Sequence, residues 1–288
     1  MHKINLTSLS DCYTLSNQVH IPCIALGTWQ SSPELTADAV QKAVEGGYRH
    51  LDCAAVYGNE KDVGRGIAQA GLPRKELFLT SKVWNMDRGY EKTLKAFEAS
   101  CLDLGTDYLD LYMIHWPANR KMYPNDWQKR NLDTWRALEK LYHDGRVRAI
   151  GFSNFMPHHL ESLLHEAQIT PMVCQQELHI GMLRPETVRF CREYGMVIEA
   201  YSPMGSGALR RNPILQCIAQ RYQVSVAQLC IRWCLQNGFL PLPKSVTPQR
   251  IEQNADVFHF EISAEDMRLL NAMPYIGGLN IDPDELDV

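Results

Sequence analysis

No run of apolar residues in this sequence is long enough to cross a membrane, and its first residues, MHKINLTSLSDCY, lack the apolar core of a signal peptide. Neither membrane insertion nor secretion is expected. An excess of either charge is also missing, since 29 basic side chains stand against 33 acidic ones for a formal net charge of −4. That balance gives no electrostatic reason to expect nucleic acid or an anionic membrane surface as partner. There is no CxxC, and the nine cysteines are an odd number scattered from Cys12 to Cys234. Neither a disulfide framework nor a zinc ribbon is expected, and a reducing cytoplasm fits best. Cys230 and Cys234 could face one way on a helix as metal ligands, but beside Leu229 and Trp233 they read as small core residues, and no metal site is expected. A glycine-rich nucleotide loop is absent too. The first apolar run leads into Gly27-Thr28-Trp29-Gln30, and Gly64-Arg65-Gly66 sits inside a helical stripe.

What the sequence does contain is alternation. Short apolar runs at residues 23–26, 49–51, 77–79, 109–114, 147–150, 172–173, 196–198 and 240–242 read as eight strands. Helical stripes lie between them: Leu94, Phe97, Cys101 and Leu104; Trp135, Leu138 and Leu141; Leu160, Leu163 and Leu164; Val226, Leu229, Cys230 and Trp233. Eight such units in 288 residues predict an α/β fold, a (β/α)8 barrel, in preference to an open doubly wound sheet. No linker divides the chain, so one domain over residues 1–288 is expected. A hairpin around Ser16-Asn17 is placed to close one end of the barrel. Long loops are expected at residues 117–131 and 203–212, with an irregular tail at 274–288.

Nearly every predicted strand ends in a polar residue: Asp52, Lys82, His115, Ser153-Asn154, Gln175 with Glu177, Tyr201-Ser202, and Lys244-Ser245. In a barrel these positions converge on the catalytic face. Any one of them is explained by a strand reaching solvent; the mixture of an acid, lysines, a histidine and amides is not. Asp52, Tyr57, Lys82 and His115 together form a proton-delivery device. A free phenol is a poor acid near neutrality. An adjacent ammonium is expected to lower its pKa, with a carboxylate holding the lysine charged and an imidazole orienting a carbonyl. Reduction of a carbonyl by hydride needs such a proton donor at the oxygen.

The stretches that carry these residues are GYRHLDCAAVYGNE (47–60), LDLYMIHWP (109–117), GFSNF (151–155) and LPKSVTPQR (242–250) with Asn254. They resemble the hallmarks of the aldo-keto reductases, in particular microbial enzymes of the diketogluconate reductase and prostaglandin F synthase-like type, over nearly the whole chain. The resemblance implies a (β/α)8 barrel that binds NADPH, with Tyr57 as general acid, Lys82 and Asp52 as its tuning pair and His115 as substrate orienter. It further implies Ser153, Asn154 and Gln175 on the nicotinamide carboxamide, Tyr201 stacked on the ring, and cofactor contacts at Gly27, Thr28, Ser202, Ser245 and Val246. Lys244 and Arg250 would hold the 2′-phosphate of NADPH, and Gln253, where relatives often carry Glu, would join Asn254 at the adenine.

The chemistry agrees at one point especially. Lys244, Ser245 and Thr247 precede Pro248 at the predicted start of a helix, a place that attracts anions, although a helix simply capped by Thr247 would read the same. Trp29, Trp84 and Trp116, with Tyr123 and Trp127 in the loop beyond, suggest an aromatic-lined substrate pocket. The short tail is expected to leave that pocket open to small aldehydes, α-dicarbonyls, keto sugars and other ketones. Partners other than a small carbonyl substrate are not expected, and a monomer is favoured over an oligomer. Two rival readings remain: a barrel that binds NADPH as a sensor, and a metal-dependent hydrolase built on His115, Asp52 and Glu177.

Overall fold

The computed structural model describes residues 6–287. Residues 1–5, part of the segment read for a leader, and Val288, the last residue of the tail, lie outside the described residues. The chain opens with a hairpin, β1 (Cys12–Thr14) against β2 (His20–Pro22), turning at Ser16-Asn17 as expected. Eight parallel strands follow: β3 (Ala25–Gly27), β4 (His50–Asp52), β5 (Phe78–Val83), β6 (Leu109–Ile114), β7 (Val147–Ser153), β8 (Val173–Glu177), β9 (Val197–Tyr201) and β10 (Phe239–Leu242). Each pairs with the next in order, and Gly27 bridges Lys244 to bring the last strand round to the first. The sheet is a closed barrel. The hairpin lies at the strands' N-terminal end, where Tyr13 Oη donates to Phe239 O and Asn17 Nδ2 to Arg148 O.

Helices α1 (Pro33–Glu45), α2 (Glu60–Ala70), α3 (Tyr90–Leu104), α4 (Trp127–His143), α5 (Pro157–Leu164) and α6 (Pro185–Glu193) follow β3 to β8 in turn. Two helices, α7 (Pro213–Arg221) and α8 (Val226–Gln236), follow β9, and α9 (Pro248–Ala255) and α10 (Ala264–Asn271) follow β10. The expected stripes are the buried faces: Phe97, Cys101 and Leu104 in α3, Trp135, Leu138 and Leu141 in α4, and Leu229, Cys230, Trp233 and Cys234 in α8. Cys230 and Cys234 are thus core residues.

Two polar residues inside the recognised stretches hold the frame. Asp110, fully buried in β6, accepts from Leu79 N and pairs with Arg74 and Arg148 at 2.8 and 2.7 Å. Glu60 at the start of α2 accepts hydroxyl bonds from Ser81 and Ser100, and burial pushes its carboxyl above the usual range. The loop expected to run to residue 131 ends earlier. Trp127, Asn131, Thr134 and Trp135 form a buried stripe that starts α4 at Trp127 despite the polar residues between them. Residues 205–211 of the second loop coil into 3-10 turns.

Gly66, inside the helical stripe of α2, is a packing glycine. A Cβ there would stand 2.5 Å from Ala37 O and 2.7 Å from Val40 Cβ, where α2 crosses α1. Helix propensity alone would favour alanine by about 1 kcal/mol. We expect the overlap to win, so that Gly66→Ala loses about 1–3 kcal/mol, read as a lower urea midpoint at unchanged slope. A midpoint at or above that of the wild type would contradict so close a contact.

Candidate active site

The C-terminal ends of the strands open into a cavity of about 770 Å³. At its floor lies a buried ion pair that no other cation shares among the described residues. Lys82, at 0% exposure on β5, donates from Nζ to Asp52 Oδ1 and Oδ2 at 2.8 and 2.9 Å and to Cys53 O at 2.9 Å. Its longest bond, 3.5 Å, reaches Tyr57 Oη, and the ammonium also stands 5.3 Å from the centre of the Tyr57 ring. Burial works against the charge on Lys82, but Asp52 and Tyr57 outweigh it and hold its pKa above the ordinary lysine value.

Tyr57 ends a 3-10 turn after β4, and its ring meets that of His115 edge to face at 5.6 Å; Trp84 flanks the same imidazole at 5.2 Å. Burial, with Lys82 adding to it, holds His115 well below the usual histidine range, so the ring is neutral at physiological pH. Tyr57 behaves contrary to expectation. Burial raises it to about 12, and the ammonium only offsets part of that rise. Burial therefore keeps the phenol protonated in the free protein, and the ammonium beside it does not make it a strong acid.

Around the cavity, Ser153, Asn154, Gln175, Tyr201, Ser202, Lys244, Ser245, Val246, Arg250, Gln253 and Asn254 all contribute, as do Gly27 and the tryptophans Trp29, Trp84 and Trp116. Asn154, at φ +65°, spends its amide inside the protein: it donates to His115 O and Ser153 Oγ and accepts from Tyr201 Oη. Thr28 is not brought to the cavity, because its hydroxyl bonds Asp52 O beneath the wall. Tyr123 and Trp127 do not line it either. Trp127 packs on His159, and Tyr123 lies under Arg130. At the far end Thr247 occupies the cap position of α9 without a side-chain capping bond, and Lys244 and Arg250 flank that helix end. A helix N-terminus flanked by two cations makes a site that fits a phosphate. The same cavity holds amide groups and a phenol ring for a nicotinamide, so the residues present fit NADPH.

Although short, the tail forms one wall of the cavity through Leu279, Ile281 and Leu286. Glu177, fully buried on β8, accepts Leu279 N and Asn280 N, both at 2.7 Å. Asn119 donates to Pro283 O and Leu286 O, and His158 and His159 both bond Asp284 Oδ1 at 3.1 Å. Gly278, at φ +149°, permits the approach, since a Cβ would stand 2.6 Å from Glu177 Oε1. The His158–His159–Asp284 group has the composition of a metal site. Met156 N, however, donates to His159 Nδ1, which leaves the ring proton on Nε2 facing Asp284. A metal at Nε2 would have to reverse that tautomer, so the group is a hydrogen-bonded latch.

Sequence comparison agrees with this geometry. The model of the aldo/keto reductase family matches residues 23–273, and the chain belongs to that family. It is 48% identical to the glyoxal reductase of Bacillus subtilis (strain 168) over 97% of this chain and 99% of that one. It is 46% identical to the 9,11-endoperoxide prostaglandin H2 reductase of Trypanosoma cruzi (strain CL Brener), with 95% of each covered. The crystal structure of a Bombyx mori aldo-keto reductase in complex with NADP superposes with a TM-score of 0.83 at 33% identity, over 91% of this chain and 92% of that one. The protein is an NADP(H)-dependent oxidoreductase of carbonyl compounds.

The buried pair yields a stability prediction. Lys82→Met leaves the Asp52 carboxylate buried without its cation and should cost about 3–5 kcal/mol, measured by urea unfolding of the protein without cofactor. A loss below that of ordinary surface variants would show that water replaces the ammonium.

Proposed function

We propose that this protein reduces small aldehydes and α-dicarbonyls, with Tyr57 as proton donor, across a cavity that takes aromatic or aliphatic substituents on its tryptophan and leucine walls. The observation that carries the reading is the junction of Tyr57, Lys82, Asp52 and His115 at the floor of a cavity whose other end suits a phosphate. The likeness to a glyoxal reductase supports α-dicarbonyls as substrates. Keto sugars and larger ketones belong to the same reaction class, and the apolar tail favours the less polar of them.

NADPH, when bound, supplies the hydride. The protein's own residues do the rest. A neutral His115 and the Tyr57 hydroxyl converge on the carbonyl oxygen, polarise it, and hold it above the floor. As negative charge develops there, Tyr57 passes its proton to an oxygen far more basic than a phenolate. The phenolate left behind faces Lys82, whose charge Asp52 fixes. Because burial keeps Tyr57 protonated through the physiological range, reduction should lose rate only on the alkaline side. Lys244 and Arg250 hold the 2′-phosphate in this reading, while Ser153, Asn154 and Gln175 hold the carboxamide. Asn154 has one lone pair of Oδ1 left for that task. One chain supplies every group, which supports action as a monomer forming one barrel domain, and nine free cysteines support a reducing, cytoplasmic setting.

Tyr57→Phe should lower kcat for glyoxal or methylglyoxal by about 10²–10⁴, with NADPH affinity little changed; turnover is followed at the NADPH absorbance and affinity by quenching of tryptophan fluorescence. Wild-type turnover in this variant would refute the mechanism, and tight NADPH binding with no turnover of any carbonyl by the wild type would favour the sensor reading. Arg250→Ala should weaken NADPH by roughly 10-fold or more, as the loss of a charge-assisted hydrogen bond implies, and leave NADH unchanged. Equal losses for the two cofactors would remove Arg250 from the 2′-phosphate.

A further inference from the structure

One buried acid is used by none of these roles. Glu199 sits on β9, is wholly shielded from solvent, and is the direct register neighbour of Gln175 on β8. Gln175 Nε2 donates to Asp52 Oδ1 at 2.9 Å and to Glu199 Oε2 at 2.8 Å. Both protons of its amide are thereby committed to carboxylates. The oxygen of that amide, on a residue that lines the cavity, is the group left to face a ligand.

We propose that Glu199 is a positioning residue for the nicotinamide, acting as a neutral acid that fixes the Gln175 amide with its carbonyl oxygen toward the cofactor carboxamide. The inference rests on the reading of Gln175 as a carboxamide contact and adds what holds that contact in place.

The neutral form follows from the surroundings. Asp52 and His50 reach Glu199 from β4, Lys82 from β5, and Gln175 and the Cys174 thiol from β8, with Leu240 of β10 in register on the other side. Lys82 gives its bonds to both oxygens of Asp52 and none to Glu199. His50 Nε2 stands 3.8 Å from Glu199 Oε1 but is bonded to Thr80, and burial lowers its pKa to about 3, so it brings no charge. Two carboxylates that share one amide and have one cation between them cannot both ionise cheaply. The acid without the cation keeps the proton: burial first, then Asp52, raises Glu199 to about 8. Its Oε2 still accepts from Gln175 when Oε1 carries the proton. Ionisation at higher pH puts a second negative charge beside Asp52 and pulls the shared amide toward Glu199.

The test is a set of NADPH titrations by fluorescence quenching, from pH 6.5 to 9.5, with carbonyl turnover measured alongside. Gln175→Ala should weaken binding by about 3- to 10-fold, the worth of one hydrogen bond. Glu199→Leu should approach the same loss at pH 7 and should raise KM for NADPH more than it lowers kcat, its fold checked by circular dichroism and thermal unfolding. Glu199→Gln, which keeps the acceptor and the neutral charge, should bind as the wild type does at pH 7. The wild type should lose affinity as the pH rises through the Glu199 pKa, and Glu199→Gln should lose clearly less. Folded Glu199→Leu that binds NADPH as tightly as wild type, while Gln175→Ala does not, would overturn the role of Glu199 alone. An alkaline loss in Glu199→Gln equal to that of the wild type would overturn the neutral-acid role even if Glu199→Leu fails to fold. Unchanged binding by Gln175→Ala would overturn the carboxamide contact itself and the proposal with it.

Discussion

Everything at the catalytic face hangs on the ion pair between Lys82 and Asp52. Placing an ammonium at 0% exposure inside a barrel is costly, and it is offset only because three carbonyl or carboxylate oxygens from β4 and the residue after it surround Nζ within 2.9 Å. That requirement fixes the register of β4 against β5 and leaves the lysine one direction for its remaining, longer bond. Tyr57 lies in that direction. The polar interior extends outward from the pair: His50 to Thr80 on one side, Gln175 and Glu199 on the other. A conventional barrel core of branched aliphatics would be more stable here; what the polar residues add is a defined place for each hydrogen-bonding group.

The tail obeys the same logic with a different carboxylate. Side chains two apart on a strand share a face, so Gln175 and Glu177 both point inward from β8, one toward the cofactor side and one toward the tail. Glu177 holds two backbone N–H groups, and burial, which alone would raise its pKa, is outweighed by His179 and those N–H bonds, so it stays ionised. One strand therefore links the Gln175 side of the cavity to its tail wall. A tail held this way is a fitted part of the cavity, bringing Leu279, Ile281 and Leu286 to its wall.

The barrel and the tetrad were legible in the sequence because both depend on local signals. Eight apolar runs ended in chemically distinct residues, and parallel strands bring such ends together whatever the detail of packing. The tail was not legible, because much of its attachment is through backbone N–H and C=O groups, which leave no mark on residue type; the visible traces were Glu177 and the pair Gly277-Gly278. Glu199 stayed hidden for another reason. A single acid in an apolar strand looks like an outward-facing residue until the register places it opposite Gln175. The early start of α4 was concealed by Gln128, Lys129 and Arg130, whose polar side chains mask a buried stripe. Thr28 entered as a cofactor contact through the family resemblance alone; its hydroxyl turns inward to Asp52 O.

The elevated pKa of Tyr57 changes how the pair is understood. An ammonium 3.5 Å from a phenol is expected to make it a better acid, yet burial outweighs it in the free protein. A phenol that stayed ionised near neutrality would have no proton to give, so a high resting pKa is compatible with the task. In the reaction proposed above, what matters is the change as the oxygen facing Tyr57 becomes an alkoxide and the demand for a proton rises steeply. At that moment Lys82 acts on the product of the transfer, stabilising the phenolate in a site with little water to screen the charge. Preorganised by Asp52, the ammonium need not move, so its contribution falls on the transition state rather than on the resting enzyme.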